Sequence, residues 1–196
     1  MNVTLELMGV ALAALLSENF VLVNCLGIGT REEVFLDPID ALRTGHCLTL
    51  VMVITALLGW LADNLVLRQL DLVYLRTLVF ALLAPGAVAL LRKVIRACWP
   101  ELSRRIDENL ASISTNCAAM GVALIISQRG YGLASALVFS FLGGVGAAIA
   151  LVSFAGLREE VDMKSCPKCF QGIPIKLITA GLMAMALVGY YGLHLS

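Results

Sequence analysis

The stretch Tyr131–Leu157 reads YGLASALVFSFLGGVGAAIALVSFAGL and contains no charged residue. About 20 apolar residues in a helix are enough to cross the roughly 30 Å of hydrocarbon in a bilayer. The whole chain has the same character, because 60% of its 196 residues are hydrophobic and only 14% are charged. About a quarter of the residues in a soluble domain are charged. The sequence therefore predicts an integral membrane protein.

Further apolar stretches are separated by short polar connections. We predict six transmembrane helices, near Leu7–Ile28, Cys47–Leu67, Leu72–Leu91, Leu110–Ser127, Tyr131–Leu157 and Ile173–Leu193. The first stretch has neither a basic n-region nor an A-x-A cleavage site, so we expect no signal peptide. An all-α, multi-pass fold without a separate soluble domain follows.

The positive charges predict the orientation of these spans. Eleven lysines and arginines fall on the odd-numbered loops and span ends, three fall on the even-numbered ones, and the termini have none. Lys and Arg concentrate on cytoplasmic loops. We therefore predict that the odd loops face the cytoplasm and that both termini lie outside.

The chain divides near Cys98–Pro100 into two halves of three spans, residues 1–98 and residues 99–196. Because three is odd, the second half enters the membrane inverted, and folds of this kind place functional sites at the midplane between the repeats. The first span of each half has a polar interruption, around Glu18 in span one and before Cys117 in span four. An acid within a span is a functional candidate, so Glu18 is predicted to lie on an ion path. The alternative is that these polar groups only hold helices together.

Each interruption includes an Asn-Cys pair, with Cys25 in span one and Cys117 in span four. A cysteine in a membrane span is most simply an apolar filler, which is our interpretation of Cys47 and Cys98. Iron–sulfur clusters are held by cysteine thiolates, and a [2Fe–2S] cluster takes four ligands. Two inverted spans would supply two ligands and a homologous partner the others. Spacing alone leaves both interpretations of Cys25 and Cys117 open.

Longer blocks along the whole chain have a familiar pattern. They are Asn19–Val23 with Leu26-Gly27, Tyr74–Leu78, Thr115–Ala118 with Gly121–Leu124, Gly156–Glu159, and Leu177–Met183. These blocks resemble the family of the A-type membrane subunit of the Rnf (Rsx) electron-transport complex. The E-type subunit of the sodium-pumping NADH:quinone reductase belongs to the same family. Two short patterns, Glu18-Asn19 and Gln128-Arg129-x-Tyr131, resemble that subunit more closely.

The resemblance implies six helices, with spans one and four broken at the midplane. It implies an inverted, homologous membrane partner similar to the E-type subunit of the Rnf complex, together with flavin- and iron–sulfur-containing subunits of the same complex. A [2Fe–2S] cluster shared with that partner carries electrons across the membrane, and Cys117 matches the family's span-four ligand. The expected location is the cytoplasmic (inner) membrane of a bacterium or archaeon, in contact with lipid, and no feature points to nucleic acid.

Span one departs from the family pattern, which ends in Leu-Gly-x-Cys. This chain reads Leu26-Gly27-Ile28-Gly29, so Gly29 occupies the ligand position and has no side chain that can bind iron. Cys25 lies four residues earlier, about 6 Å away along a helix, and would replace the ligand if the segment is shifted or rewound. A water, a ligand from the partner, or loss of the cluster are the remaining outcomes.

The fifth loop also departs, because it contains Cys166-Pro-Lys-Cys169. A C-x-x-C turn is half of a zinc or iron site and needs further ligands. His46 is at best a third ligand, so a reduced dithiol is the first interpretation, with a metal site or redox exchange as alternatives.

Three functions compete. The first is an electron-carrying subunit of an ion-translocating oxidoreductase complex, without catalytic residues or a substrate site of its own. The second is a structural or gating subunit of the same complex in which Gly29 marks a lost or altered cluster. The third is a small-solute transporter, which inverted repeats would also suit.

Overall fold

The computed structural model describes residues 38–67, 69, 73–98, 117–162 and 173–188. In these ranges the chain is helical and contains no β-strand. The helices are α1 (Pro38–Ala62), α2 (Arg76–Cys98), α3 (Cys117–Arg129), α4 (Leu133–Asp162) and α5 (Ile173–Val188). Segments Ile39–Leu65 and Leu133–Leu157 are long and apolar enough to cross a membrane. The predicted all-α class is confirmed for the described ranges, whereas span one and the start of span four lie outside them, so the six-span repeat stays a prediction.

Helix α1 begins at Pro38, well before the predicted start of span two at Cys47. Proline is favoured in the first turn because its missing N–H would have no helical partner there, and Asp40 suits the positive end of the helix dipole. Arg43 Nη1 donates to Asp40 Oδ1 at 3.2 Å, one turn away. The charged residues that suggest a loop therefore lie on the first turns of a helix.

Helix α1 ends in a π-helical turn, Asp63–Leu67, and a short 3₁₀ turn, Val73–Leu75, precedes α2. A π-turn inserts an extra residue into the helical repeat and frequently occurs at functional sites. This turn starts at Asp63, which is buried.

Helices α1 and α4 make the most extensive contact in the described part of the molecule. A Cβ added to Gly144 of α4 would lie 2.8 Å from the Cα of Thr49, and one added to Gly45 of α1 would lie 2.5 Å from the Cβ of Ala148. Small residues at such crossings allow two backbones to approach closely, which is how helices associate where lipid removes the hydrophobic driving force.

One apolar core joins both halves of the chain. Leu48 of α1, Val88 of α2, Val122 of α3 and Phe139 of α4 are all buried in it. The outer surface is also apolar, as the exposed Leu177, Leu182 and Met185 of α5 illustrate. An apolar exterior over an apolar core indicates contact with lipid or with other membrane proteins.

Candidate functional site

Cys117 is the first residue of α3, and its thiol is free and exposed. The following residues fix its position, because Ala118, Ala119 and Val122 are buried in the core. The described part of helix α3 runs over 13 residues, from Cys117 to Arg129. Its other end turns directly into the membrane-length helix α4. Cys117 lies within the predicted span four, Leu110–Ser127.

Cys47, the other cysteine that the structure describes as free, has a contrasting environment. It is 8% exposed and belongs to the core cluster on α1. A ligand to a group shared between two chains must be reachable from outside its own chain. Among these two thiols, only Cys117 meets that requirement, and Cys47 is packed as an apolar filler.

Several predicted site residues lie outside the described ranges. They are Glu18, Cys25, Gly29, Cys166 and Cys169. Within the described ranges, no group of three or more His, Cys, Asp and Glu side chains could hold a metal ion. A metal centre at Cys117 would therefore need ligands from outside the described ranges or from a partner.

His46, the candidate third ligand for the loop cysteines, is exposed on α1. Its Nδ1 lies 2.8 Å from the carbonyl oxygen of Leu42 in the preceding turn. A carbonyl oxygen only accepts hydrogen bonds, so the proton is on Nδ1 and Nε2 remains available.

An ion pair that sequence patterns did not predict lies at the opposite end of α1. Arg76 donates to Asp63 Oδ1 from Nε at 3.0 Å and from Nη2 at 2.9 Å. Both side chains are largely buried, and the pair joins the π-turn of α1 to the first residue of α2. The signal in the sequence is one acid and one base at the facing ends of consecutive apolar spans. Burial of such a pair requires charge-assisted hydrogen bonds of this kind, because an unpaired charge there is costly.

The turn between α3 and α4 lies near the same end of α1. Gly130 has a φ of 64°, which favours glycine, and its N–H donates to the Ser127 carbonyl at 3.3 Å. Trp60 Nε1 of α1 donates to the Tyr131 carbonyl at 3.1 Å, which ties the end of α1 to this turn. Arg129 Nη1 donates to the Tyr131 hydroxyl at 2.9 Å. Three segments therefore meet at one end of the helix bundle.

Comparison with known proteins supplies the family. Residues 7–194 match the model of the Rnf-Nqr subunit, membrane protein family. A protein of Syntrophotalea carbinolica, described as the A-type subunit of an ion-translocating oxidoreductase complex, is 40% identical over 188 residues, 96% of this chain and 97% of that protein.

Proteins of the same description show similar agreement. The one from Cereibacter sphaeroides is 39% identical over 184 residues, 94% of this chain and 95% of its own length. The one from Citrobacter koseri is 38% identical over 178 residues, 91% of this chain and 92% of its own length. Agreement of this extent covers nearly the whole chain, so the protein belongs to the Rnf-Nqr family of membrane protein subunits.

Proposed function

We propose that this protein is the A-type subunit of an ion-translocating electron-transport complex of the Rnf type, linked to ferredoxin and NAD. In this proposal it carries electrons across the membrane through a [2Fe–2S] cluster shared with a homologous, inverted subunit. Two findings support the assignment. The relatives that match nearly all of the chain are described as A-type subunits of such ion-translocating complexes, and Cys117 has a free, exposed thiol within the predicted span four.

The exposed position of Cys117 is the observation that carries the proposal. A cluster held by two chains needs a soft thiolate donor that the second chain can approach, and thiolates are the ligands that iron–sulfur clusters use. When bound, the cluster supplies a one-electron carrier.

The buried face of α3 holds this thiol in place. Ala118, Ala119 and Val122 follow Cys117 directly and pack in the core with α1 and α2. A ligand attached to a packed helix keeps its position when the oxidation state of the metal changes, which favours rapid electron transfer. This chain contributes position and a sulfur atom, and no substrate site of its own is part of the proposal.

The second ligand from this chain is proposed to be Cys25, since Gly29 stands where the family has a cysteine. The alternative function follows from the same substitution. A chain without a second ligand would be a structural or gating subunit of the complex with a lost or altered cluster.

The partners in this proposal are the inverted homologous subunit, flavin- and iron–sulfur-containing subunits of the complex, and membrane lipid. The location is the cytoplasmic membrane of a bacterium or archaeon, with both termini outside. The orientation is inferred from the distribution of lysine and arginine, and the cytoplasmic membrane is what the family resemblance implies.

The experiment compares Cys117→Ala with Cys47→Ala in the purified complex. Iron per complex and the rate of electron transfer through the membrane subunits are measured for both variants and for the native protein. We expect Cys117→Ala to lose about two iron atoms per complex, the content of one [2Fe–2S] cluster, and to stop electron transfer. Cys47→Ala should retain both, because Cys47 is buried in the core. Unchanged iron in Cys117→Ala would exclude Cys117 as a ligand.

A further inference from the structure

A small cavity lies where α1 ends, α3 ends and the turn to α4 begins. Its volume is about 170 Å³, and its wall includes Trp60, Asp63, Asn64, Ala123, Ser127 and Tyr131. According to the distribution of lysine and arginine, this end of the bundle faces the outside of the cell. The cavity is separate from Cys117, which begins the same helix α3 that ends here.

Ser127 points to an occupant of this cavity. Its side chain is 7% exposed, and its hydroxyl has no hydrogen-bond partner among the described residues. Leaving a buried hydroxyl without a partner costs about 1–3 kcal/mol. A volume of about 170 Å³ holds several water molecules at roughly 30 Å³ each. Water or a hydrated ion in the cavity would therefore satisfy this hydroxyl.

The chemistry of the wall favours a cation over an anion. Oxygen-bearing side chains dominate its polar part, namely the carboxylate of Asp63, the amide of Asn64 and the hydroxyl of Ser127. Hard cations prefer oxygen ligands. The guanidinium of Arg76 pairs with Asp63 and is not among the residues of the wall. Arg129 donates a hydrogen bond to the hydroxyl of Tyr131 at the turn.

The pairing of Asp63 with Arg76 makes the cavity suitable for a cation that binds and then leaves. A free buried carboxylate would bind a cation tightly, whereas one that already accepts two hydrogen bonds from Arg76 offers a weaker field. Conduction needs binding that is strong enough for the ion to enter and weak enough for it to leave. The π-turn at Asp63–Leu67 marks the same place as irregular, as is frequent at functional sites.

A close helix contact borders the cavity. A Cβ added to Gly59 of α1 would lie 3.1 Å from the Cβ of Ala123, which forms part of the wall. Helices α1 and α3 therefore pack closely beside the cavity.

We propose that this cavity is the outer vestibule of the ion path, where a hydrated monovalent cation, Na⁺ or hydronium, exchanges with the outside. The inference rests on the proposed function only in that the complex moves an ion. It is independent of the cluster at Cys117.

The test uses Ser127→Cys in the intact complex, with Asn64→Cys as a second position in the wall. Ser140→Cys is the matched control, since Ser140 is also buried but its hydroxyl donates to the Leu137 carbonyl within α4 at 3.0 Å. A small, cationic, membrane-impermeant methanethiosulfonate is applied to right-side-out and to inside-out vesicles, and the native chain gives the background. Thiol reactivity follows access to water and reagent, so we expect Ser127→Cys to react at least about tenfold faster than Ser140→Cys, from the outer side only.

The functional readout follows from the same samples. After labelling, cation uptake per electron should fall, while iron content stays at the native level. Uptake is measured with Na⁺ and with choline at constant pH, which separates Na⁺ movement from proton movement. The proposal is overturned if both wall positions react no faster than Ser140→Cys, if they react from the cytoplasmic side, or if labelling leaves uptake per electron unchanged. Iron loss in Cys117→Ala bears only on the cluster, so failure of one proposal is distinguishable from failure of the other.

Discussion

The two ends of helix α3 differ in every property that matters for chemistry. At its start, Cys117 presents a soft sulfur donor that is exposed and has nothing from the described residues around it that could complete a metal site. At its other end, Ser127 lies buried in a small cavity with the hard oxygen atoms of Asp63 and Asn64. Cys117 and Ser127 are ten positions apart, which is about 15 Å along a helix. Helix α3 thus carries a candidate electron site and a candidate ion site at separate positions.

The difference between the two positions shows what one subunit needs in order to carry both electrons and a cation. Electrons need a metal ligand that a second chain can reach, so the thiol must be exposed. A cation needs oxygen atoms and water at a membrane surface, so the oxygen atoms line a vestibule. The experiments that follow disturb both ends, then one end at a time.

The largest effect is expected from Gly144→Leu, which disturbs the packing that supports both ends. A Cβ at Gly144 would lie 2.8 Å from the backbone of Thr49. Overpacking a core costs about 1–3 kcal/mol, and a clash with backbone costs more, so we expect a loss of at least about 3 kcal/mol and little assembled complex. Thermal unfolding of the detergent-solubilised complex measures this. Gly156→Leu on the same helix is the control, because a Cβ there meets nothing within 4 Å, and equal destabilisation by both would contradict the packing described.

The next largest loss of stability is expected from Asp63→Asn, which changes only the vestibule end of the bundle. Asp63→Asn leaves the guanidinium of Arg76 buried without its anion, which costs about 3–5 kcal/mol in comparable pairs. We expect lower thermal stability with cluster iron retained. The double variant Asp63→Asn, Arg76→Gln should recover part of the loss, and no recovery would mean that the two side chains do not act as a pair.

An exposed pair provides the matched comparison. Arg43 and Asp40 are also at hydrogen-bond distance on α1, but both are accessible to solvent. Arg43→Ala should therefore change stability by only about 0.2–1 kcal/mol.

At the Cys117 end, the choice of the second cluster ligand leads to a functional prediction. Cys25→Ala in the native background should remove the cluster if Cys25 replaces the family's cysteine. Adding Gly29→Cys to that variant should restore it, because it returns the thiol to the position that Gly29 occupies. The reduced-state EPR signal of the complex measures both. A native complex that already lacks this signal would instead support the structural or gating role.

A small effect is also expected from Trp60→Phe. It removes the hydrogen bond from Nε1 to the Tyr131 carbonyl, which ties α1 to the turn over the vestibule. A single hydrogen bond of this kind contributes about 0.5–1.5 kcal/mol. Thermal unfolding should show a loss in that range, with cluster iron unchanged.

The sequence predicts the apolar helices well, because their signal is the length and composition of single stretches such as Leu133–Leu157. It also predicts Cys117 as a candidate from a short block of neighbouring residues. It does not predict the helical start at Pro38, where local charges are typical of a loop and the first-turn preferences of proline and aspartate prevail.

The vestibule could not be predicted for a different reason. Asp63 and Arg76 are 13 positions apart and Ser127 is far along the chain, so only the packing of α1, α2 and α3 brings them together. The exposure of Cys117 and the burial of Cys47 likewise depend on tertiary packing, since both are cysteines in apolar sequence. Local sequence patterns predict the helices. The contrast between the two ends of α3 arises from the packing of those helices against one another.

The most direct test of the electron site is the reduced-state EPR spectrum of the complex with Cys117→Ser, compared with Cys47→Ser. A serine oxygen is a harder donor than sulfur, so replacing a ligand changes the spectrum or abolishes it. We predict an altered or lost [2Fe–2S] signal for Cys117→Ser and the native spectrum for Cys47→Ser. A native spectrum for Cys117→Ser would contradict the central claim that this thiol holds the cluster.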